Sequence, residues 1–235
     1  MRNKNLTGTG VALITPFHQN NSIDFDSLKN LINHLITNEI DYLVVMGTTG
    51  ESAVLTYDEQ NKIIKYVKKI VNNRLPIIVG LGGNDTMQVV NRIKSFDFNG
   101  IEAILSVCPY YNKPSQSGIF SHYSQLSKVS PVDIILYNVP SRTSVNISVE
   151  TVVSLAEKYQ NIVGIKEASG NIEQCMDLVS SCPDDFMIIS GDDKMTFPIM
   201  LLGGVGVISV QAMAFPSLFS TMIQASLRGD IDLAR

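Results

Sequence analysis

Residues 161–170 read NIVGIKEASG, and this stretch carries the main indications of both fold and chemistry. The apolar run over 162–165 predicts a buried strand, and Lys166 and Glu167 follow it directly. A lysine is rarely fully buried unless it is paired or has a function. The amine at the end of this strand therefore needs either a charge partner or a chemical role, and the residues around it in the fold must show which.

Strands of the same kind recur along the whole chain. Eight short apolar runs begin near Gly10, Tyr42, Pro76, Ala103, Asp133, Ile162, Met187 and Gly206. Helical patterns follow them over 26–38, 58–71, 86–96, 118–128, 148–160, 172–180, 195–202 and 216–228. Nearly continuous Val, Ile and Leu are typical of parallel strands covered by helices. Alternating units fit an open doubly wound sheet or a closed barrel. Eight of them in a chain of 235 residues favour a (β/α)₈ TIM barrel, which typically takes ~250 residues.

The sequence also predicts where several helices begin and how the chain ends. Thr56 and Glu59 have the spacing of a capping box, and Ser148 stands at an N-cap position. Residues 1–235 are expected to form one barrel domain. After the eighth helical pattern, GDIDLAR reads as the start of a further helix that stops at Arg235, as if the chain were cut there.

Composition restricts the class of function. The chain has 235 residues, 45% hydrophobic and 17% charged, with a net charge of −4, which is ordinary for a globular protein and disfavours nucleic-acid binding. No apolar run approaches the ~20 residues of a membrane span, and the N-terminus lacks a signal-peptide core, so we expect a cytoplasmic protein. Three cysteines and three scattered histidines lack ligand spacing, so no metal site is expected.

Polar residues concentrate where the predicted strands end. The segments that follow the strands contain Gly47-Thr48-Thr49-Gly50-Glu51, Pro109-Tyr110-Tyr111-Asn112, Tyr137 through Thr143, Lys166, Gly191-Asp192-Asp193 and Ser209. In a TIM barrel the carboxyl ends of all strands form one rim, where active sites are built. We therefore expect these side chains to converge. The glycines of 203–206 resemble a phosphate loop but are expected to serve close backbone packing.

Side-chain alternation predicts the direction of the lysine. One face of the strand would carry Ile162, Gly164 and Lys166, and the other Val163, Ile165 and Glu167. If the first face is the barrel interior, Gly164 leaves space beside the lysine stem. Burial would then lower the pKa of the Lys166 amine, and a neutral amine can form a Schiff base with a carbonyl carbon. The alternative is a salt bridge from Lys166 to a rim carboxylate such as Glu51 or Asp192.

Other rim residues have equally specific chemistry. Tyr137, Tyr111 and Thr49 could relay protons through their hydroxyls, although buried tyrosines more often serve packing. The glycine-flanked turn with Thr48 and Thr49 suits a carboxylate or phosphate, or is a simple tight turn. Arg142 offers a bidentate fork for a second carboxylate, or it forms a surface salt bridge.

Taken together, these stretches resemble a known family. The sequences GTGVALITPF, GTTGES, LSVCPYYNKPSQSGIFSHY, ILYNVPSRT, GIKEASG, SGDD and GGVGVISV are similar to those of the class I pyruvate-dependent aldolases over residues 8–210. YNVPSRT points to the dihydrodipicolinate synthase branch, because the sialic-acid lyase branch carries a different segment there. The resemblance implies a lyase that condenses pyruvate with L-aspartate 4-semialdehyde to 4-hydroxy-tetrahydrodipicolinate, in lysine (diaminopimelate) biosynthesis.

The resemblance also implies individual roles for the rim residues. Lys166 would form the Schiff base with pyruvate, so that no metal or organic cofactor is needed. Tyr137 would relay protons, with Thr49 and Tyr111 completing the hydroxyl chain and Tyr111 reaching into a neighbouring subunit. This last role requires at least a dimer, and the resemblance suggests a homotetramer.

The remaining implied roles concern binding. The substrate-binding residues would be Thr48 and Thr49 for the pyruvate carboxylate, Arg142 for the second substrate, and Ile208 and Gly191 as backbone lining. Ser52, Ala53, Asn84 and Tyr110 would fit a lysine inhibitor site. At that site Tyr57, Gln60 and Gln88 stand where sensitive members carry histidines and a glutamate, which weakens the expectation of lysine inhibition.

The sequence departs from the family in two respects, and other functions fit the same residues. Met213 stands where many members have asparagine, and the C-terminal helical segment of the family is missing or truncated. A sibling Schiff-base aldolase or lyase for a keto-deoxy sugar acid would share the lysine. A pyridoxal-phosphate enzyme would need a phosphate site as well. A truncated, non-catalytic barrel is the alternative from another class.

Overall fold

The chain forms a closed barrel of eight parallel strands, which a computed structural model describes over residues 3–235. The strands follow the order of the chain: β1 Gly8–Ala12, β2 Tyr42–Val45, β3 Ile77–Gly80, β4 Ala103–Val107, β5 Asp133–Asn138, β6 Ile162–Glu167, β7 Met187–Ser190 and β8 Gly206–Ser209. The barrel closes where β1 pairs with β8. The prediction of a (β/α)₈ TIM barrel is confirmed.

Helices connect the strands. Their bounds are α1 Phe25–Thr37, α2 Tyr57–Val71, α3 Thr86–Ser95, α4 Gln116–Val129, α5 Pro140–Thr143, α6 Val149–Lys158, α7 Ile172–Ser181, α8 Thr196–Leu202, α9 Pro216–Leu227 and α10 Ile231–Ala234. The predicted helices differ from these by two residues or fewer at each end, and α10 bears out the helical reading of GDIDLAR. The short α5, which carries Arg142, was not predicted. None of the helices in residues 3–235 has the length and apolarity that a membrane span requires.

The predicted helix starts are correct because their caps form. Thr56 and Glu59 make both hydrogen bonds of a capping box ahead of α2, which satisfies two backbone N–H groups that the helix itself cannot pair. The Ser148 side chain accepts from the backbone N–H of Thr151 at the start of α6. These caps fix where each helix leaves the rim and hence the length of the loops that build the site.

Apolar side chains fill two separate layers. The interior of the barrel is packed by residues that include Leu6, Tyr42, Ile135, Tyr137 and Ile208, and a larger layer lies between the strands and the helices. The Tyr42 ring occupies the barrel interior beside Gly10, where any side chain on residue 10 would collide with it. The interior is therefore a solid core, and a polar group that points into it loses its water.

A bulge in β6 changes the predicted alternation. Ile134 pairs with Ile162, but the next residue of β5, Ile135, pairs with Gly164, so Val163 is an extra residue in the ladder. Val163 consequently packs in the barrel interior and Ile162 in the outer layer. The prediction that Ile162 faces inward and Val163 outward is wrong for this reason.

Beyond the bulge, the predicted alternation holds. Ile165 packs in the outer layer, Lys166 contacts interior residues, and Glu167 bonds to outer ones. The prediction that Gly164 leaves space for the lysine is wrong. A Cβ atom on Gly164 would lie 2.7 Å from the Met187 carbonyl oxygen of β7, so the space beside it is filled by the neighbouring strand. The missing side chain of Gly164 allows the two strands to approach each other instead.

His122 makes the stability of the fold dependent on pH. It lies on α4, 2% exposed, with Nδ1 2.8 Å from the Thr86 hydroxyl of α3. Burial lowers the pKa of its imidazole from 6.5 to about 4. Between these values the unfolded chain binds a proton that the folded chain rejects, so acidification destabilises the fold by up to about 1.4 kcal/mol per pH unit.

We expect the free energy of unfolding to fall between pH 6.5 and 4 more steeply in the parent chain than in His122→Gln, whose side chain cannot be protonated. Urea denaturation at several pH values across this range measures both slopes. Equal slopes in the two chains would contradict a buried neutral His122.

Candidate active site

A cavity of about 460 Å³ opens at the carboxyl ends of the strands. It is lined by Thr48, Tyr137 and Arg142 and also by the four residues predicted for the inhibitor site, Ser52, Ala53, Asn84 and Tyr110. Most of these side chains come from segments that follow β2, β3, β4 and β5, where a TIM barrel builds its active site. The predicted convergence on one rim is therefore observed for these residues.

Lys166 is not among the residues that line the cavity, but it adjoins the cavity through Tyr137, which is one of them. The Lys166 side chain is 6% exposed, and burial lowers the pKa of the amine from 10.5 to about 8. The space for the lysine stem comes from Gly191, since a Cβ atom there would lie 2.9 Å from Lys166 Cε. The space beside the lysine stem, which the sequence analysis had assigned to Gly164, is thus provided by Gly191 at the end of the neighbouring strand β7.

Charges around Lys166 oppose each other. Burial has the largest effect on the pKa of Lys166. The negative charge of Asp193 is the next largest influence and raises this pKa, whereas the positive charge of Arg142 lowers it. Among the described residues, Lys166 has no carboxylate oxygen within 4.0 Å, so the alternative salt bridge to Glu51 or Asp192 is not formed. The amine is poorly compensated, which favours its neutral, nucleophilic form.

Tyr137 covers the amine. It lies opposite Lys166 in the β5–β6 register, and Lys166 Nζ is 4.5 Å from the centre of its ring. Burial raises the pKa of the Tyr137 phenol, whereas a hydrogen bond with Thr48 and the charge of Arg142 lower it. The hydroxyl that partners Tyr137 is therefore that of Thr48, while the predicted chain ran through Thr49. Both threonines lie in the same 3-10 turn, Thr48–Gly50.

Left-handed backbone conformations shape two of the rim segments. Met46 (φ 61°) and Glu51 (φ 54°) bracket the turn that carries the threonines. Tyr111 (φ 72°) is also left-handed, and its side chain is 89% exposed. Such conformations are costly for residues with a side chain and concentrate at functional sites. The single chain leaves Tyr111 outside the cavity, and its role at a neighbouring subunit stays a prediction.

The remaining predicted residues have simple surroundings. Ile208 is buried in the barrel interior on β8. In the glycine-rich segment before β8, a Cβ atom on Gly204 would lie 2.7 Å from Ile199 Cγ2, which bears out close packing there. Met213 packs against the outer apolar layer, and nothing in the structure explains why it stands in place of asparagine.

Sequence reasoning placed Asp193 at the rim but gave it no role, and the structure shows its contacts. Its Oδ2 accepts from the backbone N–H groups of Val210 (3.2 Å) and Gln211 (3.0 Å), which joins the end of β7 to the turn after β8. Its Oδ1 is buried and has no hydrogen-bond partner among the described residues. Asp192, which had been considered as a partner of Lys166, instead accepts from the backbone of Lys194. Position after a strand identified both residues, but only the fold distinguishes them.

The arrangement defines a class of protein. A buried lysine with a lowered pKa, covered by a tyrosine at the rim of a TIM barrel, is typical of the active site of a Schiff-base-forming enzyme of the class I aldolase type. Within residues 3–235, no three His, Cys, Asp or Glu side chains are grouped so that they could hold a metal ion.

Comparisons with known proteins identify the family within that class. The model of the dihydrodipicolinate synthetase family matches residues 5–235. The 4-hydroxy-tetrahydrodipicolinate synthase of Parabacteroides distasonis is 50% identical over 100% of this chain and 79% of its own length. The dihydrodipicolinate synthase structure from Aquifex aeolicus superposes with a TM-score of 0.94 at 40% identity, over 98% of this chain and 78% of that one. The structure of a monomeric dihydrodipicolinate synthase variant superposes with a TM-score of 0.95 at 36% identity, over 98% of this chain and 77% of that one.

The chain therefore belongs to the dihydrodipicolinate synthetase family. The family resemblance that the sequence motifs indicated is confirmed. The chain spans about four-fifths of the length of these relatives.

The charge of Asp193 should set the pH at which Lys166 becomes reactive. We expect reductive methylation of Lys166 by formaldehyde and cyanoborohydride to rise with pH through about 8 in the parent chain and at lower pH in Asp193→Asn, because the carboxylate raises the pKa of the amine. Mass spectrometry of the peptide that contains Lys166 measures the rate. Asp192→Asn is the matched control and should leave the midpoint in place. A midpoint that does not move in Asp193→Asn would contradict the role of its charge.

Proposed function

We propose that this chain condenses pyruvate with L-aspartate 4-semialdehyde through a Schiff base on Lys166, giving 4-hydroxy-tetrahydrodipicolinate for lysine (diaminopimelate) biosynthesis. The observation that carries the proposal is the Lys166–Tyr137 pair, a buried amine with a pKa of about 8 whose nitrogen lies 4.5 Å from the centre of a phenol ring. Relatives named as this synthase share about half of the residues of the chain.

The first step forms the imine. The neutral Lys166 amine attacks the ketone carbon of pyruvate, and the resulting carbinolamine loses water when its hydroxyl receives a proton. Because burial raises the pKa of Tyr137, its phenol holds a proton that it can donate, and the Thr48 hydroxyl stabilises it when the proton has left. The backbone N–H groups and hydroxyls of the Thr48–Gly50 turn would receive the pyruvate carboxylate.

The second step forms the new carbon–carbon bond. Loss of a methyl proton converts the imine into an enamine, whose carbon attacks the aldehyde carbon of the second substrate. Arg142 lines the cavity and would bind the carboxylate of that substrate with its guanidinium. The substrate amino group then adds to the imine carbon and displaces the Lys166 amine, which closes the ring. The lysine imine itself accepts the electrons, so the reaction needs no metal or organic cofactor.

We further propose that the active enzyme is at least a dimer. Tyr110 and Tyr57 line the cavity and are 41% and 62% exposed, and Tyr111 is 89% exposed on a strained backbone. Large apolar side chains that cluster on a surface commonly mark a protein interface. A tetramer is an expectation from the family resemblance, and one solved relative is described as a monomeric variant.

Binding of both substrates can be tested separately. Incubation with pyruvate and borohydride should add the mass of a reduced pyruvate imine to the peptide that contains Lys166, and Lys166→Arg should show no adduct. Arg142→Ala should retain the adduct but lose about 10- to 100-fold in kcat/KM for L-aspartate 4-semialdehyde, because a charge-assisted hydrogen-bonded pair contributes about 1.5–3 kcal/mol.

Arg142→Lys is the control for charge, since it keeps a cation near Lys166 but lacks the planar fork. Absence of an adduct in the parent chain would contradict the Schiff-base mechanism. A parent chain that forms the adduct but cleaves keto-deoxy sugar acids in preference to the condensation would favour a sibling lyase.

Inhibition by lysine is expected to be weak because of Arg92. This residue lines the same cavity as Ser52 and Asn84, donates to Gln60 Oε1, and places its guanidinium 4.6 Å from the centre of the Tyr57 ring. A positive group thus stands where the amines of a bound lysine would need acceptors. The repulsion between like charges in a partly buried site disfavours the ligand.

We expect millimolar L-lysine to leave the activity of the parent chain nearly unchanged and Arg92→Gln to become several-fold more sensitive. Steady-state assays over a range of lysine concentrations measure both. Lys94→Gln removes an exposed positive charge from the same helix and should have no effect. Strong inhibition of the parent chain would contradict the role of Arg92.

A further inference from the structure

Glu167 is a buried carboxylate that the proposed chemistry does not use. It follows Lys166 on β6, is 1% exposed, and points to the outer side of the barrel. Its oxygens accept from Asn138 Nδ2 (3.0 and 3.2 Å), the Ser169 backbone N–H (2.7 Å) and Gln174 Nε2 (3.0 Å). Among the described residues none of its partners is positively charged. A buried carboxylate is costly unless hydrogen bonds replace its water, and here neutral donors do so.

The hydrogen bonds continue into a closed network. Asn138 Nδ2 also donates to Asn146 Oδ1 (2.7 Å), and Asn146 Nδ2 donates to Gln174 Oε1 (2.7 Å). Asn138 Oδ1 accepts from the Ile147 backbone N–H at 3.3 Å. The network therefore ties the ends of β5 and β6 to the segment after α5 and to the first turn of α7. Every member that contacts Glu167 becomes fixed relative to the others.

This network lies directly behind the reacting pair. Asn138 and Glu167 are opposite each other in the β5–β6 register, as are Tyr137 and Lys166 one residue earlier. Because side chains alternate, the first pair points outward and the second pair points into the barrel. A clamp between Asn138 and Glu167 consequently fixes the backbone from which the amine and the phenol project.

The site needs such a restraint. Lys166 makes no ion pair within 4.0 Å among the described residues, so its amine is positioned by packing against Tyr137 and Gly191. The register of β5 and β6 also shifts at the bulge at Val163, three residues before the lysine. A ladder that is irregular so close to the site does not by itself ensure that the amine faces the tyrosine.

We propose that Glu167 is a positioning residue, which holds the ends of β5 and β6 together through Asn138 and Gln174 so that Lys166 is aligned with Tyr137 for imine formation. The inference rests on the proposed Schiff-base chemistry. Glu167 acts through the backbone and does not touch the substrate. Its charge is not among the influences on the pKa of Lys166, so its effect is expected on rate and not on the pH midpoint.

The test compares Glu167→Gln with the double variant Asn138→Asp/Glu167→Gln. In the single variant the Asn138 amide faces the amide of the new glutamine, so the carboxylate that accepted its hydrogen bonds is lost. In the double variant the carboxylate stands at position 138 and the amide at position 167, which restores a pair of one donor and one carboxylate. Glu173→Gln, at an exposed position on α7, is the control for the same chemical change. Each chain is incubated with pyruvate and borohydride across pH, and the adduct rate, the KM for pyruvate, kcat and the melting temperature are measured.

We expect Glu167→Gln to form the pyruvate adduct about 10- to 100-fold more slowly at every pH, because a misplacement of about 1 Å can cost 10²-fold. Its pH midpoint should stay near that of the parent, kcat should fall more than KM changes, and the double variant should regain most of the rate. If Glu167→Gln does not fold, Gln174→Met removes a single donor to the carboxylate and should slow the adduct several-fold.

Three results would overturn the proposal. One is a folded Glu167→Gln chain whose adduct rate is within two-fold of the parent, since Glu167 would then be structural only. Another is a double variant that regains the melting temperature but not the rate. The third is a shift of the pH midpoint that accounts for the lost rate, which would make the effect electrostatic. A parent chain without any pyruvate adduct would instead refute the proposed function itself.

Discussion

Burial of one amine is the constraint on which the rest of this structure depends. The side chain of Lys166 enters a barrel interior that is packed with apolar residues, and its pKa falls from 10.5 to about 8. A lowering of this size corresponds to about 3 kcal/mol against the ammonium form, at about 1.4 kcal/mol per pKa unit. The fold tolerates that cost, and in return a useful fraction of the amine is neutral near physiological pH. An exposed lysine would keep its proton and would not attack a carbonyl group.

The surroundings of the amine set the size of this effect. Gly191 provides the space, Tyr137 covers the amine, and Arg142 opposes its positive charge. Asp193 acts in the other direction and prevents the pKa from falling further. These residues come from the ends of β5 and β7 and from the short α5. Because β5 and β7 are the two neighbours of β6 in the barrel, all of them reach the side chain of Lys166. Glu167, on the outer side, holds the ends of β5 and β6 together.

Sequence reasoning succeeded where a property depends on short-range periodicity. Eight apolar runs with helices between them predicted the barrel, and alternation placed Lys166 inward and Glu167 outward. It failed at the bulge, because an extra residue in a strand cannot be recognised from composition. The bulge reverses which face of the sheet the side chains preceding it occupy. For that reason Ile162 and Val163 were placed on the wrong faces.

The candidate site was predictable as a set of residues but not as a set of contacts. Motifs and strand ends identified Lys166, Tyr137 and Arg142. The choice between Thr48 and Thr49 as the partner of Tyr137 depends on the turn between two left-handed residues, and the role of Asp193 depends on the turn after β8. Such contacts join segments far apart in the chain, so one sequence alone does not reveal them.

The pKa of Lys166 is the quantity that tests the effect of burial most directly. It can be measured by NMR titration of lysine labelled with ¹³C at the ε carbon, with the signal assigned by its absence in Lys166→Arg. A titration midpoint near 8 is predicted. A midpoint near the ordinary lysine value of about 10.4 would contradict the conclusion that burial makes this amine reactive.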